Sequence, residues 1–270
     1  MKMMKKNRSH RKNDHANRTE QRMKQQPTAP RKSVVSVYFA ERNMTLPYYN
    51  DRFDLKKGDL VYVDGKLAGM RGRVTEVNYH FKIKIADYKR VVAVVDTEVH
   101  GEFFMAGSHF VTFDRCALPM SQVITWFKDP DVREEFAVGG DGDVFQLADL
   151  HSMDVTSAVA QRGHQYYIDN RVKYISVDGS RGYALVEGGN MYEVEFEYLN
   201  GEIKNLYCDC FCNYHCKHEV AAMLQLKETL ELIGKYYQEA YERTEYFAAI
   251  CKGTLFILAI DSRENGRFIL

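Results

Sequence analysis

The stretch Cys208-Asp-Cys210-Phe-Cys212-Asn-Tyr-His215-Cys216-Lys-His218 decides how this chain is read. Six side chains of the kinds that bind zinc fall within eleven residues. The 270-residue chain has six cysteines in all, and four of them lie here, a density that chance placement does not produce. Disulfides would be the rival reading in a secreted protein. Thiols packed this closely with histidines suit a reducing compartment and a metal ion instead, so a cytoplasmic zinc protein is expected.

A tetrahedral site takes four ligands from these six. In an extended strand, residues two apart share a face, so Cys208 and Cys210 converge on one ion. Inside a helix, residues two apart point in nearly opposite directions, so Cys216 and His218 need a loop-to-helix junction. There the helix dipole favours the Cys216 thiolate. Cys212 competes with Cys210 for a place in the set, or is a spare thiol. Four protein ligands leave no open position for an activated water, so such an ion holds the fold and does no chemistry.

Outward from the cysteines, the pattern is a hairpin before and a helix after. Tyr192, Val194, Phe196 and Tyr198 alternate with Glu193, Glu195 and Glu197; Asn200-Gly201 is a two-residue turn, and Glu202–Tyr207 returns as the partner strand. After His218, the residues Val220, Met223, Leu226, Leu230 and Ile233 recur every three or four positions, an apolar helical stripe that Gly234 ends or loosens. Tyr236–Lys252 reads as a further helix, and Thr254–Ile260 with Arg267–Leu270 as a hairpin around Asn265-Gly266.

Cys-x-Cys, five residues, then Cys-x-His running into a helix with Ala221-Ala222 resembles the SWIM-type zinc finger. That module accompanies bacterial Swi/Snf-type helicases, Mutator-type transposases and some recombination factors. Arg162-Gly-His-Gln-Tyr-Tyr167, Ala184-Leu-Val-Glu-Gly188 and Tyr192-Glu-Val-Glu195 resemble the strands before the finger, so the resemblance covers about residues 155–235. It implies zinc on Cys208, Cys210, Cys216 and His218, and a nucleic-acid or protein partner such as a helicase. Cys212 and His215 fall in the intervening loop, where the family pattern needs no ligand.

The N-terminal part reads differently. Residues 1–32 hold eleven Lys or Arg against Asp14 and Glu20, a balance of +9, and the rest of the chain balances at −9. The arm is polar, without an apolar run, and expected to be disordered, neither a signal peptide nor a membrane anchor. From Ser33 to Phe113, short strands jointed by Gly65, Gly69 and Gly72 suggest a small SH3-like β-barrel, with Phe81–Ile85 and Val91–Val95 as strands. A short helix over 119–129 follows, and Gly139-Gly-Asp-Gly142 marks a boundary. The expected class is α+β: a disordered basic arm (1–32), the barrel (33–113), helix and linker (114–152), the SWIM-type finger (153–235), and a C-terminal helix and hairpin (236–270).

Charge points to the partners. The segment from Lys66 to Arg90 carries seven cations against Glu76 and Asp87, with Tyr79, Phe81 and Tyr88 interleaved. Cations around aromatics suit a nucleic-acid strand, DNA more than RNA, with Arg71, Arg73, Lys82, Lys84, Lys89 and Arg90 as candidate contacts. Lys82 and Lys84 also fit a plain solvated strand face. Residues 152–235 carry eight basic and twelve acidic side chains, which favours protein over nucleic acid for that part.

No catalytic constellation stands out. There is no Gly-x-x-x-x-Gly-Lys-[Ser/Thr] phosphate loop. Gly139–Gly142 has no ligand set, Asp261 and Glu264 have no lysine at nuclease spacing, and Cys116 and Cys251 sit in apolar surroundings. The expectation is a non-enzymatic accessory protein without a membrane or small-molecule partner. The alternative is a protein–protein adaptor that touches no nucleic acid.

Overall fold

The computed structural model describes residues 30–130, 144–212 and 214–260. It is a mixed α+β fold built on two antiparallel sheets. The five-stranded sheet has the order β2-β1-β4-β3-β5. Its strands are β1 (Ser33–Phe39), β2 (Met44–Asn50), β3 (Leu60–Val63), β4 (Gly72–Asn78) and β5 (Val91–Val95). Val35, Val37, Phe39, Val61, Val63, Val74 and Val91 form its private core.

The expected barrel does not close. The edges β2 and β5 meet at a single parallel bridge between Tyr49 and Arg90, with no ladder beyond it. Phe81–Ile85 is not a strand. Its alternation is real, with Phe81 and Ile83 half-buried and Lys82 and Lys84 exposed, but among the described residues no strand pairs with it. Phe81 instead packs edge-on against Tyr49, ring centroids 6.2 Å apart.

The second sheet runs through β6 (Phe104–Ala106), β7 (His109–Thr112), β8 (Phe145–Gln146), β9 (Val172–Asp178), β10 (Arg181–Glu187), β11 (Met191–Leu199), β12 (Glu202–Cys208) and β13 (Tyr246–Cys251). Its order is β6-β7-β13-β9-β10-β11-β12-β8. The helices are α1 (Met120–Thr125), α2 (Ser157–Ile168), α3 (Lys217–Tyr236), α4 (Gln238–Thr244) and α5 (Lys252–Leu255). None of the described helices is long and apolar enough to cross a membrane.

Several expected boundaries move. A division at residue 113 does not follow the sheets, because β6 and β7 form a hairpin whose β7 pairs with β13 in the second sheet. Tyr236–Lys252 is not one helix. Glu245 takes a left-handed conformation, φ 50°, and the apolar run Tyr246–Cys251 enters the sheet between β7 and β9, where ladder pairing overrides helical periodicity. Thr254–Ile260 is helical rather than extended, with α5 passing into one π-type turn. Arg162–Tyr167 lies in α2, which Thr156 caps by accepting a hydrogen bond from Val159 N–H. Gly234 neither ends nor breaks α3, which continues to Tyr236. The expected basic arm up to residue 29, the boundary at Gly139–Gly142 and the turn at Asn265-Gly266 lie outside the described residues.

The hairpin leading into the cysteines is as its sequence requires. β11 and β12 pair through Asn200 and Gly201, whose φ values of 52° and 86° make the tight hairpin turn. Val194 and Phe196 point into the core beneath α3, with Val220, Met223, Leu226 and Ile233. Helix α2 lies close on α3. A Cβ added at Gly163 would sit 2.4 Å from Val220 Cβ, so only glycine permits that approach. On the sheet's other side, Tyr174, Leu185, Tyr246 and Ile250 share a core with Leu60, Tyr62, Val95 and Trp126, which joins the two sheets.

Candidate metal centre

Cys208 is the last residue of β12 and lies opposite Val194 of β11. The chain then turns, and Asp209 fixes the turn. Its carboxylate accepts from Glu193 N–H at 2.8 Å and from Lys128 Nζ at 2.7 Å. With Asp209 tied outward, Cys208 and Cys210 face the same way. Cys216 is the N-cap of α3, and its backbone N–H donates to Glu219 in the first turn at 2.8 Å. His218 follows as the second helical residue, 2% exposed.

These segments bring together one ligand atom from each of Cys208, Cys210, Cys216 and His218, all within 4.8 Å of one another. His218 Nδ1 is 3.6 Å from both Cys208 Sγ and Cys216 Sγ. Zinc–sulfur bonds of about 2.3 Å and zinc–nitrogen bonds of about 2.0–2.1 Å at a tetrahedral angle separate S from N by about 3.6 Å. The pocket therefore has the edge length of a tetrahedral S/N site, with His218 presenting Nδ1. An ion held by all four has no open coordination position.

The protonation pattern points the same way. A hydrogen bond from the Cys208 thiol pulls the Cys216 thiol down to about 4, against burial and with help from His218 and the Glu219 N–H. The same bond, with burial, pushes Cys208 up, and burial pushes Cys210 up to about 12. One thiolate is thus comfortable here and three are not, unless a cation shares the space. A dication bound here would supply that charge and release the remaining thiol protons.

The two other candidates lie outside the cluster of four. His215 Nδ1 donates to Glu219 Oε2 at 2.9 Å, which directs its ring to the carboxylate. Burial raises the Glu219 pKa, partly offset by the bond from His215. Cys212 is exposed on the loop between the ligand pairs, as are Phe211 and Tyr214. Tyr192 stacks on His218, and Tyr166 lies against it at 5.6 Å between ring centroids. The His218 Nε2 atom is buried with no hydrogen-bond partner among the described residues. Gly188 leaves room there, since a Cβ would lie 3.1 Å from Nε2 and 2.7 Å from the Tyr192 ring.

Sequence reasoning did not single out Tyr192, Gly188, Glu219, Asp209 or Lys128 as parts of this centre. Glu219 alone had a readable signal, the acid three residues after an N-cap that makes a capping box.

The candidate nucleic-acid contacts are divided. Arg71 donates to the Trp126 carbonyl, and burial lowers its pKa. Arg73 donates to the Gly58 carbonyl at 3.2 Å, and Arg90 pairs with Asp51. Lys82, Lys84 and Lys89 are exposed. The six do not form one convergent cluster of free cations.

No family model, no curated protein and no solved structure matches the chain.

Proposed function

We propose that the chain is a zinc-binding accessory protein with a SWIM-type finger, which contacts nucleic acid and works beside a protein partner such as a Swi/Snf-type helicase. The convergence of Cys208, Cys210, Cys216 and His218 within 4.8 Å at a strand end and a helix start carries this reading. Zinc fits the donor set, because three thiolates and one imidazole in a closed tetrahedron suit a soft-accepting ion without redox demands. The ion is structural. It ties β12 to α3 and does no chemistry.

The nucleic-acid part of the proposal rests on exposed cations. Lys82, Lys84 and Lys89 lie on the connection between β4 and β5 of the five-stranded sheet, which we read as an open relative of the SH3-like barrel, and residues 1–32 add a balance of +9. A labelled DNA oligonucleotide titrated with the full chain at several salt concentrations tests it. The log of the binding constant should fall linearly with log salt, with a slope near about −0.9 per phosphate neutralised. Changing Lys82, Lys84 and Lys89 to Gln together should flatten that slope.

A protein–protein adaptor is the second reading. The acidic row Glu193, Glu195 and Glu197 on one face of β11 favours it. Absence of DNA and RNA binding at low salt would leave the adaptor standing.

A further inference from the structure

Asp209, between Cys208 and Cys210, is latched to β11 by two hydrogen bonds. Its backbone N–H donates to the Glu193 carbonyl at 3.1 Å, and its carboxylate accepts from Glu193 N–H at 2.8 Å. Lys128 Nζ, from 81 positions earlier in the chain, then bridges the Asp209 and Glu193 carboxylates at 2.7 Å each. The Tyr183 hydroxyl donates to the other oxygen of Glu193 at 2.9 Å. Glu193 itself follows Tyr192, whose ring stacks on His218, and precedes Val194, which lies opposite Cys208. One ammonium therefore grips both the turn that carries Cys210 and the strand that carries the ring against His218.

The segment that presents Lys128 is itself fixed. It follows α1, and the Lys128 N–H donates to the Ile124 carbonyl at 2.9 Å. Val123 and Trp126 are fully buried, and Trp126 Nε1–H donates to the Asp96 carbonyl at 2.6 Å. The Tyr62 hydroxyl donates to the Thr125 carbonyl at 3.0 Å, and Arg71 donates to the Trp126 carbonyl. A supporting charge on so firmly held a backbone places its partners more precisely than one on a loose loop. Burial disfavours the charge on Lys128, but the bonds to Asp209 and Glu193 outweigh it and raise its pKa. Without that charge, two carboxylate oxygens at most twice 2.7 Å apart would face each other across the turn, and like charges at that range repel.

We propose that Lys128 is a positioning residue for the metal centre. It acts through Asp209 and Glu193 to hold Cys208, Cys210 and the stack of Tyr192 on His218 in binding geometry. Groups behind a ligand set tune metal affinity in this way, by fixing the ligands' orientation. The inference rests on the zinc reading above and deepens it, because full affinity then needs residue 128 as well as the segment that carries the ligands.

Competition for Zn2+ between the full chain and a chromogenic chelator tests it. Lys128→Met keeps the length of the side chain and removes its charge, and it should weaken zinc binding about tenfold or more. Lys128→Arg should recover most of that loss, since a guanidinium can bond both carboxylates. In an Asp209→Asn chain, Lys128→Met should cost less than it does in the native chain, because the two residues act as a unit. Arg115→Met breaks the 2.7 Å ion pair with Asp178 at the far end of β9 and should leave zinc affinity as it is. Unchanged affinity in Lys128→Met overturns the proposal and leaves the zinc reading in place. An equal loss in Arg115→Met, or a full additional loss in the Asp209→Asn chain, overturns it too, by assigning the effect to general loosening. A native chain that takes no Zn2+ from the chelator overturns the zinc reading and the proposal together.

Discussion

The Tyr192 ring lies flat on the His218 imidazole, with centroids 4.1 Å apart and planes at 20°. Tyr192 belongs to β11 and His218 to α3, so the contact sets the imidazole's plane from the sheet side. Fixing a ligand's orientation before the ion arrives lowers the ordering cost of binding. Tyr192→Ala should weaken metal affinity by about tenfold, and Tyr192→Phe should leave it nearly unchanged. Competition with a chromogenic chelator reads both. Equal losses in the two variants would assign the effect to the hydroxyl, not to the stacked ring.

The ligand set makes its own prediction. Cys208→Ser, Cys210→Ser or Cys216→Ser should lose the metal and loosen β11, β12 and α3, since structural zinc contributes about 10–16 kcal/mol in small zinc peptides. Cys212→Ser should retain metal, because that thiol is exposed on the loop. Hydrogen exchange should show β1 and β4 still protected in the ligand variants, because Val35, Val37 and Val74 belong to a separate core. Loss of metal in Cys212→Ser would exchange its place with Cys210.

His109 gives a pH dependence away from the metal. It is fully buried, with Nε2–H donating to the Val172 carbonyl at 2.9 Å and Nδ1 accepting from Ser108 at 2.9 Å. Burial, first, lowers its pKa to about 4 from 6.5, against the Val172 bond. The unfolded chain therefore binds the extra proton between these values. Stability from this group is complete above pH 6.5 and is lost as pH falls toward 4, at about 1.4 kcal/mol per pH unit at most. Denaturant midpoints from pH 7 to 4.5 should fall less steeply in His109→Gln than in the native chain. Parallel curves would contradict the assignment.

Gly163 tests the seat of α3. Its approach to Val220 leaves no room for a methyl group, so Gly163→Ala should cost about 1–3 kcal/mol through overpacking. Thermal unfolding measures it, and Val220→Ala in the same chain should recover part of the loss. A neutral Gly163→Ala would mean that the two helices separate freely.

The convergence of Cys208, Cys210, Cys216 and His218 and the β11–β12 hairpin were legible in the sequence because both are local. Ligand spacing and an Asn-Gly turn act over a few residues and need no distant partner. Tyr246–Cys251 was not legible. Its six buried apolar residues fit a helix or a strand, and only insertion between β7 and β9 decides. Phe81–Ile85 failed in the opposite sense, since alternation creates a strand only where another strand lies alongside. The bond from Lys128 to Asp209 joins residues 81 apart, so nothing near Asp209 announces it.

Native mass spectrometry of the purified chain tests the central claim most directly, since one spectrum gives both the number and the mass of bound ions. The account predicts one zinc per chain, with the mass deficit of displaced thiol protons, because Cys208, Cys210, Cys216 and His218 form one closed site. A chain carrying no metal, or two zinc ions, would contradict it.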